Sequence, residues 1–236
     1  MLENDLDDLP AVAIKVATSG GDHAAVVKGG QWKQAVQGYL ASIAFADEQV
    51  GRVIEALDAS PHKKDTVIVL WTDHGWHLGE KEHWRKFALW HRSTRTPLMI
   101  SVPEGIPAMP DGSVKGRQSM QPASLLDIYP TLIELCGLPP KTELSGTSLV
   151  PMLRNPELKT DRAIVTTNGR NNHAIRDTRW RYIRYSDGSE ELYDHNADPN
   201  EWTNLADNPE YASTIVRMSK WLPQTNVPDA KKDQNL

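Results

Sequence analysis

Cysteine is almost absent: Cys136 is the one thiol among 236 residues, which excludes an internal disulfide framework. Long apolar runs are absent as well. No window approaches the roughly 18 consecutive apolar residues that a membrane span needs. Clusters of positive charge are also missing. Lys and Arg number 26 against 31 Asp and Glu, a net charge of −5, so there is no electrostatic case for a nucleic-acid partner. The opening residues, MLENDLDDLPAVA, carry neither a basic nor an apolar stretch and do not read as a signal peptide.

The hydrophobic content, 39%, is enough for one sizeable core, or for a core with a small satellite domain. Tryptophan is plentiful, with eight residues, and Trp71, Trp76, Trp84 and Trp90 crowd one stretch. They read as packing residues; a carbohydrate-facing role for Trp84 or Trp90 is the alternative. The stretch begins with Val67-Ile68-Val69-Leu70-Trp71. A β-branched run of this kind predicts a strand buried on both faces, as in a parallel sheet. Ligands of open α/β sheets bind at the carboxyl ends of strands, and here that end carries Asp73-His74, followed by Gly75.

A carboxylate beside an imidazole suits a metal ion. The bland alternative is a hydrogen-bonded Asp–His dyad with no metal. Oxygen-rich sites hold Ca²⁺ or Mg²⁺, whereas an imidazole–carboxylate pair also suits zinc. Lys86 supplies a cation close behind. Metal plus lysine is the equipment for a bound sulfate or phosphate group.

The run Asp73-His74-Gly75-Trp76-His77-Leu78-Gly79-Glu80, then Trp84 and Lys86, resembles the second metal motif of the sulfatases. The branch it resembles is the iduronate-2-sulfatase-like one, within the alkaline phosphatase superfamily. There a lysine lies twelve residues after the histidine, as Lys86 does after His74. The resemblance implies Asp73 and His74 as ligands of one Ca²⁺, and Lys86 as a catalytic clamp on the sulfate oxygens. It also implies His77 and His173 beside Lys86 as candidates on the substrate side. The expected substrate is a sulfated carbohydrate or another sulfate ester, handled in a periplasmic or secreted setting. Phosphodiesterase or phosphonate hydrolase chemistry of the same superfamily is the alternative, and so is a non-catalytic glycan-binding remnant.

The family's nucleophile is a cysteine or serine in a C/S-x-P/A-x-R motif, converted to formylglycine. Neither Cys136-Gly-Leu-Pro-Pro nor Ser119-Met-Gln-Pro fits it. Cys136 reads instead as a buried structural thiol. The family's Asp-Asp pair follows a strand, and no strand precedes Asp7-Asp8. The chain thus looks like the C-terminal portion of a sulfatase, with no turnover expected of it alone; the nucleophile belongs to an N-terminal half.

The expected fold class is α/β: part of a mixed sheet flanked by helices, alkaline-phosphatase-like, followed by a small antiparallel C-terminal subdomain. Residues 1–30 read as irregular, because Ser19-Gly20-Gly21 and Gly29-Gly30 break any period. Residues 31–160 read as the C-terminal part of the sulfatase α/β domain. Val36, Leu40, Ile43, Val50, Val53 and Leu57 predict a long helix there, and Arg95–Pro103 reads as the next strand. Asp127–Leu135 is a predicted helix, capped by Asp127 and stopped at Gly137. Residues 161–225 read as four short strands with turns at Asn168-Gly169 and Asp187-Gly188, plus a terminal helix. Residues 226–236 read as a disordered tail.

Overall fold

A computed structural model of the chain describes residues 4–228; of the expected tail, residues 229–236 lie outside the described residues. The chain divides into two compact units. One is built from the segment ending at Gly21, the segment His74–Arg95 and the chain from Asp161 onward; the other from Asp22–Asp73 and Thr96–Thr160.

The first unit centres on a four-stranded antiparallel sheet in sequence order, β5 (Ile164–Thr167), β6 (His173–Arg176), β7 (Trp180–Arg184) and β8 (Glu190–Asp194). Alternating side chains point to opposite faces, and both faces are covered. Ala174, Ile183, Tyr185 and Tyr193 pack against Ala13 and Ala17 of α1 (Ala11–Thr18) and against Leu89 and Trp90. Ile175, Trp180, Tyr182 and Leu192 pack against Met218 of α7 (Ala212–Ser219). Within the segment expected to be irregular, residues 11–18 and 22–28 are helical. α1 occupies the interval before Gly20, and α2 (Asp22–Lys28) the interval before Gly30. Gly20, Gly21 and Gly30 all have positive φ. They act as helix stops, not as marks of irregular chain.

The second unit holds α3, Trp32–Asp58, along the predicted period. None of its residues is buried: Leu40 is 57% exposed and Val53 71%. β1 (Ile68–Trp71) pairs antiparallel with β4 (Leu98–Ser101), from Ile68 opposite Ser101 to Trp71 opposite Leu98. The parallel, doubly buried strand expected here is thus corrected. An apolar run records a capacity for burial, and it carries no information about the direction of the neighbouring strand. α5 (Ile128–Leu135) and α6 (Val150–Arg154) surround a core of Val102, Met109, Leu135 and Val150. Asp127 works differently from the expected cap. Ser124 caps the preceding 3₁₀ turn, and buried Asp127 accepts N–H groups from Ser124 and Thr147 at 2.7 and 2.8 Å. Cys136, expected buried, is exposed, because it falls at the C-cap after the last inward position, Leu135.

Candidate functional site

β1 delivers the chain to Asp73, an exposed carboxylate whose Oδ1 lies 3.4 Å from the Thr72 hydroxyl. His74 opens the next segment. Its Nδ1 lies 2.8 Å from the Gly75 carbonyl oxygen. A carbonyl only accepts, so Nδ1 carries the proton and Nε2 is the basic nitrogen. Fixing a metal-binding histidine's tautomer through its other nitrogen is the usual outer-shell device. The donor chemistry of Asp73 and His74 therefore fits a divalent cation, as part of a shell. The Trp76 indole stacks on the His74 ring, centroids 6.1 Å apart.

Gly75 is forced by space. Its N–H donates to the Ser93 carbonyl at 2.8 Å, and a Cβ built on it would lie 2.0 Å from the Arg92 oxygen and 2.6 Å from that of Arg95. The turn after His74 is thus seated on α4 (His91–Thr94) and its exit.

The chain then forms a small hairpin, β2 (His77–Leu78) against β3 (Trp84–Arg85), with His77 opposite Arg85. In this register the residues preceding His77 and those following Arg85 leave the hairpin at the same, open end. The eleven residues between His74 and Lys86 are taken up by the hairpin, its tip and the turn that leads into it.

The hairpin tip and its exit strand are strained. Lys81, Glu82, Arg85 and Phe87 all have left-handed backbones, with φ between 46 and 72°. Each such non-glycine residue costs about 1–3 kcal/mol and persists only where its surroundings over-determine it. Here they do. The Lys81 N–H donates to Asp5 Oδ2 at 3.0 Å, and Lys81 Nζ lies 2.9 Å from Asp5 Oδ1, with both side chains buried. Burial pushes the Asp5 carboxyl up, against the lowering effect of Lys81. The His83 ring nitrogens reach the carbonyls of Ala17 and Lys86 at 2.9 and 2.8 Å. Asn168 Nδ2 donates to the Phe87 carbonyl at 2.7 Å. Glu80 braces the loop, accepting from the Leu78 N–H at 2.7 Å and pairing with Arg92 at 3.4 Å. The Lys86 backbone is thereby fixed between two left-handed residues. Its half-buried side chain has Nζ 5.3 Å from the exposed Phe87 ring centroid.

The two histidines expected on the substrate side both lie inside the packed structure. His77 is fully buried, hydrogen bonded through Nδ1 to Ser93 Oγ at 2.9 Å and edge-on to His83 and Trp90. Burial, helped by His83, lowers its pKa to about 3, so it is neutral. Its position in β2 faces the side chain inward, where it packs. His173 is also buried, and its ring nitrogens lie 2.8 Å from Thr167 Oγ1 and 2.7 Å from Asn226 Oδ1.

A second cluster escaped the sequence reading. One ligand atom each from His91, His195 and Glu201 lies within 4.8 Å of the others, a spacing a metal ion fits. The place is already taken: Arg181 Nε sits 2.5 Å and His195 Nε2 2.8 Å from Glu201 Oε1. Burial alone would raise the Glu201 carboxyl; Arg181 and His195 outweigh it and hold it at about 2. Burial and Arg181 lower His91 to about 3, and burial and Arg181 lower Arg176 to about 10. A divalent cation here would face two guanidinium groups, so the cluster is an ion-pair hub. Glu191 is another buried carboxylate, and it accepts from Trp90 Nε1, Tyr185 Oη and Tyr193 Oη at 2.6–2.7 Å. No local pattern marks these residues. Their partners lie up to 110 positions away.

Residues 7–138 match the family model described as Sulfatase, and residues 79–227 the one described as N-sulphoglucosamine sulphohydrolase, C-terminal. A sulfatase of Formosa agariphila is 42% identical over 95% of this chain, which spans 43% of that protein. Human iduronate 2-sulfatase is 36% identical over 44% of this chain and 22% of its own length. The chain thus spans less than half of these relatives. Among solved structures, BT4656 in complex with its substrate D-glucosamine-2-N,6-O-disulfate superposes with a TM-score of 0.70 at 25% identity, over 80% of this chain and 40% of its own. The phosphonate monoester hydrolase of Agrobacterium radiobacter gives 0.64 at 29% identity, over 75% and 38%.

Proposed function

This chain belongs to the sulfatase family, and from that premise we propose that it is the C-terminal part of a sulfuric ester hydrolase acting on sulfated carbohydrate. Asp73 and His74 Nε2 hold one divalent cation, Ca²⁺ in our reading, whose role when bound is to polarise the sulfate group. Lys86 donates hydrogen bonds to the sulfate oxygens and neutralises charge that builds up as the ester bond breaks. The fixed backbone around Lys86 means that this cation needs little reorganisation when the ester is attacked. No residue of this sequence fits the formylglycine motif. The nucleophile therefore comes from the portion of the relatives that this chain does not span. By the same likeness, the enzyme works in a periplasmic or secreted setting. Among the described residues, no helix is long and apolar enough to cross a membrane.

One observation carries the reading: the hairpin that brings the two ends of the His74–Lys86 spacing out on one side, behind a histidine whose tautomer suits a metal. The likeness to a phosphonate monoester hydrolase supports phosphonate or phosphodiester hydrolysis as the second reading. The test is a chimera in which this chain replaces the matching portion of the Formosa agariphila sulfatase. It is offered 4-nitrophenyl sulfate and 4-nitrophenyl phenylphosphonate. Sulfate release that disappears in Lys86→Ala and Asp73→Ala is expected. A folded chimera that cleaves only the phosphonate establishes the second reading, and one that cleaves neither overturns both.

A further inference from the structure

α4 is a single turn, and its N-cap residue, Trp90, gives it no side-chain cap. The cap comes from far along the chain: Glu201 Oε2 accepts the His91 N–H at 2.8 Å. Asn200 adds a second tie, accepting from Arg92 Nη2 at 3.1 Å. Glu201 is itself over-determined. It is 1% exposed, has a left-handed backbone with φ 62°, and shares its other oxygen between Arg181 and His195. A strained, fully buried carboxylate is a costly way to cap one turn. The other end of that turn touches the site. Ser93 O holds the Gly75 N–H, Arg92 O and Arg95 O leave no room for a Cβ on Gly75, and the Gly75 carbonyl holds His74 Nδ1.

We propose that Glu201 is a positioning residue for His74, acting through the His91 amide, α4 and Gly75. The small antiparallel sheet then does more than cover a core: through Arg181 of β7 and the carboxylate it grips, it sets the imidazole that faces the metal. This rests on the reading of His74 as a metal ligand. The two ideas fail separately in the test below.

The amide can be removed without disturbing the turn. His91 is the first helical residue, where proline is tolerated. Trp90, with φ −75° and ψ 164°, already has the extended backbone that a following proline demands. His91→Pro therefore deletes the N–H and the ring together, and His91→Ala deletes the ring alone. The first readout is ¹⁵N NMR of the His74 imidazole in the metal-free chain, with the amide signals of β5–β8 as the fold control. The second is Tb³⁺ luminescence excited through Trp76.

His91→Ala should leave the His74 nitrogens as in the parent chain. His91→Pro should shift them away from the Nδ1–H form and weaken Tb³⁺ binding by about 10- to 100-fold, the usual loss for an outer-shell partner. Glu201→Asp keeps the charge but withdraws the carboxylate, and should shift them in the same direction. It decides the question if His91→Pro fails the fold control. The proposal is overturned if neither variant moves the His74 signals, or if His91→Ala moves them as far as His91→Pro. If the parent chain shows no Tb³⁺ emission that His74→Ala removes, the metal reading fails, while the imidazole signals still decide whether Glu201 positions His74.

Discussion

Lys81→Met cuts the buried tie that holds the strained loop before Lys86. The methionine fills similar space but leaves Asp5, itself 5% exposed, without its counter-ion. Breaking a buried pair from one side costs about 3–5 kcal/mol, because a charge stays uncompensated. The Asp5 carboxyl is already raised by burial, and loss of Lys81 raises it further. A carboxyl raised in the folded state destabilises above its folded pKa, and that penalty fades as pH falls towards its unfolded value. The cost of Lys81→Met should therefore be greatest at pH 7 and shrink to about 1–2 kcal/mol near pH 4, the scale of lost packing and hydrogen bonding alone. Asp5→Asn combined with Lys81→Met should sit within about 1–2 kcal/mol of the parent chain at both pH values, since the amide oxygen still accepts the Lys81 N–H. Urea unfolding followed by tryptophan fluorescence at the two pH values measures all three. A single-variant cost that stays flat or grows on acidification refutes the reasoning, and so does a double variant as unstable as the single.

Glu201 should impose the opposite pH dependence. Its pKa is lowered from 4.5 to about 2, so it stabilises above pH 4.5 and that stability is lost as pH falls towards 2. The span corresponds to roughly 3 kcal/mol, and acid titration of stability should show it in the parent chain and not in Glu201→Gln. Phe87→Gly should leave stability level or raise it by about 1 kcal/mol, because a 70% exposed ring loses little and a φ of 68° becomes unstrained; thermal unfolding checks this. Leu40→Gln on α3 should cost under about 0.5 kcal/mol, whereas Ile183→Ala, at a site with 0% exposure, should cost about 2–5 kcal/mol. Equal losses in urea unfolding would contradict the difference in burial.

What was legible in the sequence was local. The three- and four-residue period of α3, the turn residues between β5 and β8, and the His74–Lys86 spacing each lie within one stretch of chain. The rest depended on distant partners. Asp5 meets Lys81 across 76 residues, and Glu201 meets the His91 amide across 110. Nothing near Glu201 in sequence announces a buried carboxylate. The surroundings of His77 and His173 were hidden for a related reason: residue type says what a histidine can bind, and burial decides what reaches it. The direction of β1 was equally hidden, since its apolar run fits a neighbour on either side and of either sense.

In the proposed function, Asp73 and His74 form the metal-facing end of a sulfatase site. Mn²⁺ titration of the chain, read as paramagnetic broadening of NMR signals, tests it most directly. Broadening centred on residues 73–76 and lost in Asp73→Ala is expected, with the His91, His195 and Glu201 signals sharp. Broadening centred on that ion-pair hub, or none that depends on Asp73, would contradict it.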